Sequence, residues 1–144
     1  MLIAIIVSHI IPIILFNQKQ NAGDMGKTLT LSLKKKWFDM IASGEKKEEY
    51  RKLTLYWQKR LLRCGFACNG NCVLSGKVVC PACRYLEYAN YDAVTFTLGY
   101  PKSDDTSRRM TFALKDICFG EGKTEWGAED GSVYFVIKLG DRLC

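Results

Sequence analysis

The chain has 144 residues, 48% hydrophobic and 25% charged, which suits one ordinary globular core and excludes fibrous, low-complexity and disordered classes. Its formal net charge of +6 is unevenly placed: residues 27–63 hold eleven basic and four acidic side chains, residues 92–144 seven and nine. Such a concentrated positive field suits an anionic partner such as phosphate, and equally a solvated basic face.

Residues 1–16 (MLIAIIVSHIIPIILF) carry no formal charge. As a helix they would span about 24 Å, short of the roughly 20 residues that a bilayer crossing takes, and they lack the basic start and small-residue cleavage site of a secretory signal. Three readings stay open: translation starting at Met25, with the first 24 residues a gene-boundary artefact; a membrane anchor through residues 1–16; or an ordered helix of the fold. The first sets residues 1–26 apart as a leader and makes the protein cytoplasmic. His9 is the single histidine, so a start at Met25 removes every mechanism that needs imidazole.

Thr28 to Lys34 alternates Leu29, Leu31 and Leu33 with polar residues, the pattern of a half-buried strand. Lys35 to Ser43 places Trp37 and Phe38 with Ile41 at helical spacing, and Gly44 stands where a left-handed cap is wanted. Lys47 to Lys52 reads as a charged strand around Tyr50. Thr54 is positioned to cap a second helix, Leu55 to Arg63, in which Trp57 and Leu61 share a face. Glu49 and Arg51, two apart on a strand, face one side, and Lys46 joins them only from the preceding turn. Arg51 offers a planar fork for phosphate or a base edge, Lys46 a mobile charge, and Glu49 an acceptor for an amine or a ribose hydroxyl. The bland reading is a surface Glu–Arg pair worth under about 1 kcal/mol.

Residues 63–84, RCGFACNGNCVLSGKVVCPACR, hold five of the seven cysteines. Cys80-Pro-Ala-Cys83 has zinc-knuckle spacing, and Cys68 with Cys72 would complete a tetrahedral structural zinc site, Cys64 substituting for either. Disulfides or free thiols are the alternatives. Three further strands are expected at Ala93 to Leu98, Met110 to Cys118 and Val133 to Leu139, separated by polar loops at Gly99 to Ser107 and Gly120 to Gly131. Cys118 then sits in a strand, as a core residue. Five strands and two early helices predict an α+β protein built as a small mixed β-barrel with a Cys-rich loop insertion.

The run Ile41-Ala-Ser-Gly-Glu-Lys-Lys-Glu-Glu-Tyr-Arg51 resembles the signature of the ASCH family, Gly-x-Lys-x-x-Glu-x-Arg after a helix, at Gly44, Lys46, Glu49 and Arg51. The likeness continues through Trp57-Gln-Lys-Arg-Leu61, Tyr91-Asp-Ala-Val-Thr-Phe96, Gly122-Lys-Thr-Glu-Trp126 and Tyr134-Phe-Val-Ile137. It implies a PUA-like barrel over residues 27–143, interrupted by the insertion at 64–84. Its implied ligand is RNA, a nucleotide or a modified nucleoside, bound by Lys46, Glu49 and Arg51, with Trp126 either stacking on a base or plugging the barrel end. Some ASCH proteins are amidohydrolases acting on an acetylated cytidine, and others are linked to RNA cleavage. In the amidohydrolases the motif lysine works with a threonine three residues later and a more distant glutamate. Lys46 fits that pattern, but the threonine position is Glu49, and a carboxylate cannot replace a hydroxyl nucleophile. Lys46 and Glu49 therefore remain catalytic candidates only through activation of water, with Glu125 or Glu129 as a second acid or base. A third reading makes the cysteine insert a protein-interaction surface and the barrel its support.

Overall fold

The computed structural model of this chain describes residues 26–62 and 88–144. The apolar leader with His9 and Met25 lies outside the described residues, as do Cys64, Cys68, Cys72, Cys80, Cys83 and the zinc expected on them.

Strand β1 (Thr28–Leu33) buries Leu29, Leu31 and Leu33 and exposes the residues between, as the alternation predicts. Helix α1 (Lys35–Ala42) turns Phe38 and Ile41 into the core. It stops at Gly44, whose φ of +82° is a left-handed conformation that side chains resist. The turn closes when the Lys46 N–H donates to the Met40 carbonyl at 2.9 Å, and strand β2 (Glu48–Lys52) begins two residues later. Helix α2 (Leu55–Leu61) starts from Thr54, although the Thr54 hydroxyl makes no capping bond. The helix is shorter than expected because Leu62 is already extended (φ −116°, ψ 138°) and bridges to Tyr88.

Strand β3 (Ala93–Leu98) matches its expected span, whereas β4 (Arg109–Glu121) and β5 (Val133–Arg142) outrun theirs. These two strands extend each other, pairing Gly120 with Tyr134 and Glu121 with Val133 at one end and Phe112 with Arg142 at the other. Glycine counts against a strand when read locally, yet a long partner carries it into the ladder. The loop expected from Gly120 therefore starts at Gly122.

The strand order is β1-β3-β4-β5-β2, with β1 parallel to β3 and the other pairs antiparallel. The protein is thus α+β, a curled five-stranded mixed sheet with two short helices. Leu29, Leu31, Ile41, Leu61, Phe96, Met110, Phe135 and Ile137 are almost fully buried inside the curl. A second, smaller cluster of Tyr50, Ala128, Tyr134 and Val136 covers the other face of β5, with Trp126 and Cys118 packed against it. Cys118 is thereby half-buried, and burial pushes its thiol pKa up. Among the described residues no helix is long and apolar enough to cross a membrane.

Candidate ligand cleft at the open seam

The edge strands β1 and β2 are not paired with each other, and the gap between them is a cleft. The backbone directions along β1 follow from its neighbours: Asp92 N–H donates to the Lys27 carbonyl and Gly99 N–H to the Leu33 carbonyl, so the odd-numbered residues face β3. The carbonyls of Thr30 and Ser32 consequently face the seam, where two arginines reach them. Arg51 Nη2 approaches the Ser32 oxygen and Arg60 Nη2 the Thr30 oxygen, each at 3.4 Å. The resulting cavity of about 670 Å³ is lined by Lys34, Lys46, Glu49, Arg51 and Arg60 together with Trp37, Tyr50, Tyr56, Trp57, Tyr100 and Trp126.

Lys46, Glu49 and Arg51 form a chain of ions at its floor. The turn after Gly44 delivers Lys46 to the same side as Glu49, which strict strand alternation would not do. Its side chain is 2% exposed; Nζ donates to the Trp126 carbonyl at 2.6 Å and lies 4.6 Å from the centre of the Trp37 ring. Glu49 Oε2 lies 3.0 Å from the same ammonium, which thus pairs with the carboxylate while it holds the Trp126 carbonyl. Burial lowers the Lys46 pKa, Glu49 opposes that effect and Arg51 adds to it. The other carboxylate oxygen, Oε1, accepts from Arg51 Nη1, which also donates to the Tyr50 carbonyl at 2.8 Å. The Arg51 guanidinium lies 5.1 Å from the Trp57 ring centre, and that of Arg60 is also 5.1 Å from the same ring.

Trp126 comes to the cleft on a single 3-10 turn, Thr124–Trp126, ended by Gly127 at φ +97°. A side chain at Gly127 would also stand 2.7 Å from Trp37 Cζ2, so this glycine permits both the turn and the close approach. The Trp126 backbone holds Lys46 while its half-buried ring packs on the smaller cluster, with Lys123 Nζ 4.2 Å above it.

All four residues expected at the ligand site, Lys46, Glu49, Arg51 and Trp126, therefore meet in one cleft. Glu125 and Glu129 do not line it; Glu129 pairs on the surface with Lys52 at 3.2 Å. Sequence reasoning had no site role for Trp37, Tyr50, Tyr56, Trp57, Arg60 or Tyr100. The basic and aromatic interleaving of Tyr56-Trp57-Gln-Lys-Arg60 is the available signal for three of these, beyond the helix face and the family likeness that Trp57 to Leu61 also carry.

Tyr50 fastens the loop over β2, donating to Glu48 Oε2 at 3.0 Å and accepting from the Lys123 N–H at 3.1 Å. Burial, helped by Glu48, raises its pKa from 10.0 to about 12. The unfolded phenol ionises first, so stability held in full below pH 10 is expected to be lost as pH rises toward 12. Urea unfolding across that range should show a steeper decline for the wild type than for Tyr50→Phe; parallel curves would rule out this coupling.

Comparison with protein-family models, with curated proteins and with solved structures finds no match for this chain.

Proposed function

We propose that this chain is an ASCH-type domain of PUA-like architecture that binds RNA or a nucleotide in the seam between β1 and β2. The observation that carries the reading is the buried Lys46–Glu49–Arg51 chain of ions at the floor of a cleft lined with cations and aromatic rings. A carboxylate has lone pairs to spare beyond those facing Lys46 and Arg51, so it suits an exocyclic amine or a ribose hydroxyl, and the cationic lining suits a phosphate. The order of Gly44, Lys46, Glu49 and Arg51 in a helix–turn–strand frame supports the family assignment. A structural zinc on Cys68, Cys72, Cys80 and Cys83 rests on their spacing alone.

A second reading, a hydrolase acting on a modified nucleoside or on RNA at the same place, is favoured by the lowered pKa of Lys46 beside a carboxylate. The adaptor reading keeps its basis in the cysteine insert. One experiment separates the three: titrating the full chain with nucleoside monophosphates and short RNAs at low and high salt, then repeating with Lys46→Ala. A binder shows salt-sensitive affinity and no turnover. Product formation abolished by Lys46→Ala supports the hydrolase, and indifference to every nucleotide removes both in favour of the adaptor.

A further inference from the structure

The rim of the cleft differs from its floor. Tyr100 is 95% exposed and Tyr56 60% exposed, and both line the same cavity. Two solvated tyrosines at one mouth contribute little to the core, yet each presents a flat face with a polar tip. Tyr100 stands on a braced turn. The Gly99 carbonyl just before it accepts from both Ser32 Oγ at 2.9 Å and Thr97 Oγ1 at 2.8 Å, and Arg108 donates to the Leu98 carbonyl at 2.6 Å. Tyr56 is held by Arg60, which donates to its hydroxyl at 2.9 Å, and by edge contact with the Trp57 ring at 4.8 Å between centroids.

Charge at the rim is of one sign. Lys34 and Arg60 line the mouth and take part in no salt bridge among the described residues. The lining contains one acidic residue, Glu49, and it is already flanked by Lys46 and Arg51. Braced aromatic faces alternating with unneutralised cations form the surface on which successive bases stack while their phosphates lie alongside. A free nucleoside has a single base and cannot cover the floor and both rim tyrosines at once.

Resting on the nucleotide-binding reading above, we propose that the ligand is a single-stranded nucleic acid: one base enters the seam above Glu49 while flanking nucleotides stack on Tyr56 and Tyr100, their phosphates on Lys34 and Arg60. The rim then accounts for the difference between binding a chain and binding its monomer.

The test compares affinities of the full chain for AMP, CMP and UMP with those for the RNA hexamers A6, C6 and U6 under one salt condition. For at least one base the hexamer is expected to bind at least roughly 25-fold more tightly than its monomer, since each of the two stacked flanking bases contributes about fivefold or more. Tyr100→Ala, at a position too exposed to support the fold, should shrink that ratio at least fivefold, and Tyr56→Ala should shrink it independently. Monomer binding equal to hexamer binding, or a ratio untouched by either substitution, overturns the proposal while leaving the nucleotide site standing. Absence of binding to monomers and hexamers alike overturns both, as does binding of hexaglutamate in their place.

Discussion

Replacing Glu49 with alanine is expected to lower the unfolding free energy by about 3 to 5 kcal/mol, the usual cost of removing one partner from a buried ion pair. The size follows from what remains. Lys46 and Arg51 keep side chains only 2% and 13% exposed and lose the anion between them. Neither can turn to water without leaving its place: Lys46 is tied to the Trp126 carbonyl, and Arg51 reaches across the seam. Glu49→Gln should cost less, because an amide oxygen can still accept from Arg51. Adding Lys46→Met to Glu49→Ala should recover part of the loss, with a coupling of about 0.5 to 3 kcal/mol in a double-mutant cycle. Urea unfolding of wild type, Glu49→Ala, Glu49→Gln, Lys46→Met and the double variant measures all of this. A Glu49→Ala cost below about 1 kcal/mol would mean that the ions behave as a hydrated surface pair, the bland reading of the motif.

The fold was largely legible because it rests on local rules. Leu29, Leu31 and Leu33 alternate, Gly44 ends a helix, and Val94 and Phe96 point into the core. Reading failed where long-range pairing overrules propensity, as at Gly120 and in the extension of β5 to Arg142. The candidate cleft was legible in its charged residues for a different reason: Glu49 and Arg51 share a strand face, and a turn residue such as Lys46 could join them. Its aromatic half was not legible. Trp37 and Trp57 sit on helices at spacings that also describe core packing, and only the curl of the sheet shows that both helices border the gap. Nor does sequence reveal that the Trp126 carbonyl, rather than its ring, holds Lys46. A backbone acceptor carries no residue-type signal.

Arg51→Lys is the substitution that separates the two duties of the seam. The arginine fork contacts Glu49 and the Tyr50 carbonyl on β2 and the Ser32 carbonyl on β1 at once, while lying over Trp57. A lysine keeps the charge but presents a single ammonium, so it cannot hold both edges together and present a flat cation to a ligand. Loss of a charge-assisted contact predicts a penalty of about 1.5 to 3 kcal/mol in ligand binding, one to two orders of magnitude in Kd. The same change should loosen β1, seen as faster hydrogen exchange at the amides of Leu31 and Leu33, which face β3. Weaker binding with unchanged exchange would make Arg51 a ligand contact alone, and faster exchange with undiminished binding would make it only a staple. Both effects together are expected, because the guanidinium that bridges the two edges also forms part of the cleft wall, and a seam free to widen cannot hold Glu49 and Trp57 at a fixed separation.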